Sequence, residues 1–475
     1  MPYPAVMNST SLSLPHDGNA NQIHGSSPRM THHSIHEDDI ISAKRGLRSI
    51  SMKKITTLLL SMVMVSGLVF AAGAKKSKNK ITTVEIWHTY NGKQAAALND
   101  AADRFNASQT KYKVEVKNQD YAGFADTVYN AVANGIGPSI IFNYGTTAVD
   151  YANEGLAIDI RKYIKKDLKK GDKTMQNIID SLPEAMKTDV LGFEDGGIYY
   201  LPGCTTGPVY FYNKTIFKEL GLNPPTNWDE LVSVSKTIYE KKGIPGFHSD
   251  GLVDNIQELI MHNGLGYIDV ANKRVTFCGP KLEEIYQWYA DNCKKGYFSF
   301  NTIGRYSSED LANGDIGSFS GSCVNDQYIQ MVEGKGELGM AKWIAGDFYT
   351  AWNRGPIFLH RNEAVDEGAY EFVKFFLNRE NAAKWAIANS ALCPYGTSAD
   401  VPEYVDYLKN LPATSALPYV QANMPVSGSF PNVTGSAAVR KILEEYLNYV
   451  VDGKMTAKEA VKAIEKQCND ALNGR

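Results

Sequence analysis

The sequence of 475 residues has no HExxH pair, no GxSxG elbow and no GxxxxGK[ST] loop. Those absences exclude the usual signatures of zinc peptidases, serine hydrolases and P-loop nucleotide enzymes. The Gly135-x-Gly137 pair has Ile140 where a dinucleotide fingerprint needs a third glycine. No CxxC pair occurs among Cys204, Cys278, Cys293, Cys323, Cys393 and Cys468, so neither a zinc ribbon nor a thioredoxin-like redox motif is expected. An even cysteine count leaves both buried thiols and any of several disulfide pairings open. Charge of one sign is lacking too: 49 Lys+Arg stand against 52 Asp+Glu, and no basic stripe supplies the electrostatic attraction that a nucleic-acid partner requires. Five of the nine histidines, His16, His24, His32, His33 and His36, fall in the first 51 residues; His88, His248, His262 and His360 are scattered singly. No metal, cofactor or catalytic cluster is therefore expected, and no acid–base carboxylate pair stands out from spacing.

Near the N-terminus stands a start within a longer chain. Met52, Lys53-Lys54, an apolar run from Ile55 to Ala72 and the small-residue ending Ala72-Gly73-Ala74 have the build of a secretory signal peptide, here assigned to 52–74. The competing reading is a retained anchor, since roughly 18 apolar residues sit at the edge of membrane-spanning length. Lys75, Lys76, Lys78 and Lys80 after the small residues favour cleavage, and no cysteine at that point offers a site for lipid attachment. The Ser-, His- and Asn-rich stretch 1–51 has no periodicity and reads as a disordered or mis-annotated extension. The expected location is periplasmic or at the cell surface.

About 400 residues remain, too many for one hydrophobic core, so two domains are expected. Val84 to His88 reads as a strand, Gln94 to Phe105 as a helix, Tyr112 to Lys117 as a strand and Phe124 to Ala133 as a helix, followed by the strand Ser139 to Phe142. This is βαβ wiring, and it predicts an α/β protein with mainly parallel sheets flanked by helices. A second α/β region opens with the strand Val209 to Tyr212 and the helix Lys214 to Leu220. Further helices are expected near Trp228 and over 256–262, 282–293, 365–377, 382–388, 439–450 and 457–472. No internal repeat or low-complexity linker separates the two regions.

Loops at expected strand ends repeatedly combine hydroxyl, amide or small residues with an aromatic. They are Trp87 to Gly92, Gln119 to Tyr121, Asn143 to Thr147, Gly203 to Gly207, Ser318 to Ser322 and Trp352 to Pro356. Ligands of open α/β sheets sit beyond the carboxyl ends of the strands. Aromatic faces there suit the C–H faces of a sugar, and hydroxyls and amides suit its OH groups. The alternative is that these Tyr and Trp rings are core packing with a tethered polar end.

At the same residues the chain resembles the family 1 extracellular solute-binding proteins of ABC importers, the maltose-binding and glycerol-3-phosphate-binding group. The segments that carry the resemblance are Ile86-Trp87-His88, Ala102 to Ser108, Gly135 to Ser139, Pro208 to Lys214, Leu311 to Asp315, Phe372 to Leu377 and Glu380 to Trp385, in that order along the mature chain. The resemblance implies a two-lobed type II periplasmic-binding-protein fold with three interlobe crossings. It places the N-terminal lobe at 81–207 plus 351–392 and the C-terminal lobe at 208–350 plus 393–475. It further implies Tyr121, Thr205 or Thr206, Ser322 and Gly355 as ligand-facing, with Asn91 and Tyr144 on neighbouring cleft loops.

Departures from the glycerol-phosphate binder bear on the ligand. Its cleft glutamate corresponds to Gly145, its tryptophan pair to the stretch Gly251 to Asn255, its phosphate-facing arginine to the neighbourhood of Ser429, and its cleft tyrosine to that of Leu392, with Tyr395 and Phe430 close by in sequence. Without a charge-assisted partner a buried phosphate is costly, so the expected ligand is a neutral mono- or oligosaccharide, with Arg354 the nearby cation that would reverse this. The expected role is a monomeric binding protein that delivers a carbohydrate to ABC permease transmembrane subunits. A polyol-phosphate binder, a sensory ligand-binding partner and a secreted carbohydrate-active enzyme are the alternatives.

Overall fold

A computed structural model describes residues 81–120, 123–300, 307–344 and 346–474. The 1–51 extension, the 52–74 signal segment and Tyr121 lie outside the described residues. In chain order the strands are β1 Thr82–His88, β2 Tyr112–Asn118, β3 Ile140–Tyr144, β4 Cys204–Thr206, β5 Pro208–Asn213, β6 Phe247–Ser249, β7 Ile268–Asp269 and β8 Arg274–Val275. They continue with β9 Phe298–Phe300, β10 Ser318–Ser322, β11 Leu338–Lys342, β12 Tyr349–Thr350, β13 Trp352–Phe358 and β14 Ser427–Gly428. Two five-stranded sheets result, ordered β2-β1-β3-β13-β4 and β11-β5-β10-β6-β9.

Local patterns account for the first sheet. In β1 the alternate residues Val84, Ile86 and His88 are buried, and the helix Gly92–Ser108 buries Leu98, Ala101, Ala102 and Phe105, spaced for one helical face. β1 then runs parallel to both β2 and β3, the arrangement that a βαβ unit enforces. The expectation of mainly parallel sheets is corrected beyond that point. β13 enters antiparallel to β3 and β4, and β5 is antiparallel to both β10 and β11. Each sheet is half parallel and half antiparallel, because strands that arrive from the opposite lobe need no right-handed crossover helix and join in either direction.

Each sheet carries its own hydrophobic core. Val84, Ile86, Ile140, Phe142, Phe372, Phe376 and Trp385 belong to the first; Phe211, Phe247, Tyr286, Phe319, Trp343 and Leu443 belong to the second. Trp343 shows how the aromatic content is used: it stacks on Phe247 at 5.8 Å and meets Trp228 edge-on at 5.5 Å. The four histidines of the described chain serve separate local bonds. His262, for example, accepts from Trp228 Nε1 at 3.1 Å and contacts the Phe348 carbonyl at 2.9 Å.

Three passages join the sheets. Gly207 alone separates β4 from β5; β12 leads through Ala351 into β13; and after the helix Arg379–Ala388 the chain bridges Thr205 at Leu392 before the helix Leu417–Asn423 packs on β5 and β11. The first two touch. A Cβ on Gly207 would stand 2.2 Å from the Tyr349 hydroxyl, which donates to the Pro208 carbonyl at 2.9 Å. Glycine is required there by close approach.

The second passage is held by a buried acid. Glu258, 1 % exposed, accepts from Trp343 Nε1 at 2.6 Å and from the Thr350 amide at 3.4 Å. Burial pushes its carboxyl up to about 8, against the pull of those donors. Because the folded form holds a proton that the unfolded chain releases in the ordinary carboxylate range, this group's stabilising contribution is full at acid pH and is lost as pH rises through about 8. The thermal midpoint should therefore fall between pH 5 and 9, and Glu258→Gln should flatten that fall by several degrees, measured by calorimetry across the range. Glu258→Ala, which strands two donors, should cost about 2–4 kcal/mol near pH 5 and less towards pH 9, where the parent has lost this group's contribution. An unchanged pH slope in the Gln variant would remove Glu258 as the cause.

Candidate ligand-binding cleft

A cavity of about 460 Å³ opens between the sheets, within the size range of small-molecule sites. Its walls come from the carboxyl ends of strands: Tyr144 and the following Gly145 and Thr146 from β3, Thr206 from β4, Asp250 and Gly251 after β6, and Gly321 and Ser322 from β10. Thr350 to Asn353 of the second passage form another wall. Asp189, Asp254, Ser429, Phe430, Asn432 and Arg440 complete it.

Asp189 lies on the helix Glu184–Leu191, whose neighbours Met186 and Val190 anchor it in the first core. Its carboxylate accepts from Asn432 Nδ2 at 2.7 Å and from Asn353 Nδ2 at 3.4 Å, and the same Asn432 amide donates to the Asp189 carbonyl at 2.6 Å. Asn432 precedes Val433 of the second core, so these bonds join the lobes across the cavity. Burial pushes the Asp189 carboxyl up to about 6 despite those donors.

Asp254 and Arg440 form the second cluster. Arg440 Nη2 donates to Asp254 Oδ1 at 2.9 Å, its Nη1 donates to Gln257 Oε1, and Trp352 Nε1 reaches the same Asp254 oxygen at 3.4 Å. Asp250 accepts from Ser307 Oγ at 2.8 Å. Among the described lining residues there are thus three carboxylates and one guanidinium, and that guanidinium already faces a carboxylate. Tyr144, Trp352 and Phe430 supply aromatic faces around them.

Of the residues expected from sequence, Tyr144, Thr206 and Ser322 line this cavity. Thr205 does not: fully buried, it turns its hydroxyl to Asn353 Oδ1 at 2.8 Å, as strand alternation requires when Thr206 points into the cleft. Gly355 does not either. It lies inside β13, where a Cβ would stand 2.0 Å from the Leu201 carbonyl, so its role is close backbone packing. Asn91 is exposed at the N-cap of the helix Gly92–Ser108 and is not among the lining residues. Three segments read as loops, 203–207, 318–322 and 352–356, are largely strand.

Arg354 is also reassigned. Its guanidinium lies 4.7 Å over the Tyr90 ring, with Nε donating to the Phe142 carbonyl at 3.1 Å and Nη2 to Thr89 Oγ1 at 3.3 Å, so it braces the first lobe. The cleft cation is Arg440, which the sequence pattern did not single out because it sits in an ordinary amphipathic helix, Ser436–Val451. Asp189 lies on another helix without a motif, Glu184–Leu191, and Asn432 in an irregular segment before the helix Ser436–Val451, so neither was singled out. Leu392 and Tyr395 are core residues, the latter donating to the Pro202 carbonyl at 2.6 Å.

Residues 91–383 match the family model of bacterial extracellular solute-binding proteins. The chain is 25 % identical over 444 residues to the sn-glycerol-3-phosphate-binding periplasmic protein of Rhizobium meliloti, covering 86 % of this chain and 96 % of that protein. To the protein of that name from Salmonella typhimurium it is 26 % identical over 420 residues, covering 82 % and 93 %. Among solved structures, the cyclic alpha-maltosyl-1,6-maltose binding protein of Arthrobacter globiformis superposes with a TM-score of 0.67 at 22 % identity, over 83 % of this chain and all of that one. The substrate-binding protein Lmo0181 of Listeria monocytogenes, in complex with cycloalternan, gives 0.69 at 17 % identity with 83 % and 100 % coverage. These structural likenesses establish the two-lobed fold.

Asn432→Ala should remove the interlobe bonds to Asp189 and leave that carboxylate short of donors. We expect a loss of about 1.5–3 kcal/mol in chemical denaturation, together with a larger radius of gyration in small-angle scattering. A variant as compact and as stable as the parent would show that these bonds do not hold the lobes.

Proposed function

Because the chain belongs to the family of bacterial extracellular solute-binding proteins, we propose that it captures a neutral carbohydrate in the interlobe cavity and presents it to the transmembrane subunits of an ABC importer. The observation that carries the ligand class is the charge of the cleft: Asp189, Asp250 and Asp254 against Arg440, itself paired with Asp254. A phosphate dianion entering this space meets like charge at short range and low dielectric, which is unfavourable unless a free cation compensates. Sugar hydroxyls suit it instead. They donate to the carboxylates, accept from Arg440, and leave their C–H faces for Tyr144, Trp352 and Phe430.

The transport role requires no chemistry on the ligand. Binding would draw the lobes together because only the closed arrangement lets one sugar touch both walls. Discrimination would come from cleft groups left without partners by the wrong hydroxyl pattern. The protein would act as a monomer outside the cytoplasm, in the periplasm or at the cell surface, after removal of residues 52–74. A second reading is favoured by the curated relatives named for glycerol 3-phosphate: a polyol phosphate would bind if Arg440 left Asp254 to take up the phosphate.

Calorimetric titration of the chain from Lys75 onward separates the two. The carbohydrate reading expects a mono- or oligosaccharide to bind, sn-glycerol 3-phosphate to be silent, and Trp352→Ala and Tyr144→Ala each to weaken the sugar at least about tenfold with little change in melting midpoint, consistent with the worth of a stacked aromatic. Tight binding of glycerol 3-phosphate that Arg440→Gln abolishes would establish the second reading and overturn the first.

A further inference from the structure

Around the passages between the lobes lie three of the six cysteines. Cys204 opens β4, Cys393 follows Leu392 at the start of the third passage, and Cys323 lies just beyond β10 in the second lobe. Burial pushes the Cys204 thiol up to about 12, and Cys323 and Cys393 both lie close enough to act on it electrostatically.

Main-chain register distinguishes the pairs. Thr205 and Leu392 form an antiparallel bridge and exchange both bonds, the Thr205 amide donating to the Leu392 carbonyl at 2.8 Å and the Leu392 amide to the Thr205 carbonyl at 2.9 Å. Positions in an antiparallel pair alternate between hydrogen-bonded and non-hydrogen-bonded, so continuing the register of this isolated bridge by one residue would set Cys204 opposite Cys393 at a position of the non-hydrogen-bonded kind. Such pairs bring their Cα atoms to about 4.5 Å with both side chains on one face, inside the span of about 4.4–6.8 Å that a disulfide bridges. Two further bonds agree with this placement. The Cys393 amide donates to the Tyr404 hydroxyl at 2.8 Å, away from β4, and Cys204 pairs on its other side with Arg354 of β13. Cys323 has no strand register with either residue: its amide donates to the Gly207 carbonyl at 3.0 Å and its sulfur faces the Ser390 carbonyl at 3.9 Å.

We propose that Cys204 and Cys393 form a disulfide in the exported protein, fastening the strand of the first passage to the start of the third. The two S–H bonds are lost and one S–S bond forms; the two electrons and two protons pass to a disulfide-class oxidant, which is reduced to a dithiol. Although the resemblance sets the lobe boundary at 392/393, Cys204 belongs to the first core and Cys393 packs against it, so the link would stiffen the root of the hinge on that side and leave closure free. Oxidising compartments outside the cytoplasm permit such a bond.

The test is a non-reducing tryptic map of the full exported chain, taken as isolated and again after equilibration of the folded protein with oxidised glutathione, with free thiols alkylated first. The expected product is one species joining peptides 188–214 and 385–409, and a melting midpoint that drops on reduction. In Cys393→Ser that species and the redox shift in midpoint should both vanish; Cys204→Ala provides the same comparison from the other partner. Alkylation of both residues under both conditions, or a link from either one to peptide 306–335, which holds Cys323, would overturn the assignment. Ligand binding is not part of the readout, so the outcome is independent of the sugar proposed above.

Discussion

The structure turns on Thr205, a buried threonine where all three passages between the lobes meet. It belongs to β4, one residue away from the Thr206 that leads into the first passage. Its main chain exchanges two bonds with Leu392 of the third, and it stands opposite Asn353 of the second in the β13 register. Its hydroxyl donates to the Asn353 side chain, which in turn reaches Asp189 in the wall of the cavity. Hydrogen bonds in a buried environment are directional and expensive to leave unmade. The hinge is therefore specified by angles and partners, where apolar packing alone would allow the passages to slide. Gly207 and Gly355 serve the same constraint by letting backbones approach where a Cβ would collide.

From that hub the cleft inherits its chemistry. Two acids, Asp189 and Glu258, are buried far enough that both carboxyls are displaced upward, and each is surrounded by amide or indole donors with no cation among the hydrogen bonds described for it. Asp254 differs, sharing its charge with Arg440. The cavity thus presents acceptors of differing strength beside aromatic faces, a combination that rewards a ligand rich in O–H donors and penalises one with concentrated negative charge. The sequence relatives are named for glycerol 3-phosphate, and the local charge of this cleft is the ground on which we propose a carbohydrate instead.

Much of the architecture was legible because it rests on periodicity. The alternation in 82–88 and the helical spacing in 92–108 and 363–376 are local signals, and the elements form where those signals lie. What escaped detection depends on partners distant in sequence. β13 was read as a loop because Trp352 to Pro356 contains Gly355 and Pro356, residues that weaken an isolated strand; it becomes a strand only between β3 and β4. Tyr144, Thr206 and Ser322 were reached through strand-end reasoning and family resemblance, whereas Thr205 and Gly355 show the limit of the latter, since a one-residue shift in a strand reverses the face. Asp189, Asn432 and Arg440 carry no local signature. They come together only once residues some 250 apart in the chain are folded onto one cavity, which a linear reading does not supply.

The insertion of β13 between β3 and β4 also governs when the molecule can fold. During synthesis β3 and β4 emerge early, yet the strand that hydrogen-bonds both follows roughly 145 residues after β4, with all five strands of the second sheet in between. That second lobe waits as well, for its core takes in Leu443, Val461 and Ile464 near the end of the chain. The first core is not complete before Tyr395 and the second not before Leu472, so neither half can close until most of the chain has been made. Such long-range closure slows folding, and it leaves the edges of β3 and β4 that face β13 without their partner until all the strands of the second sheet have been made.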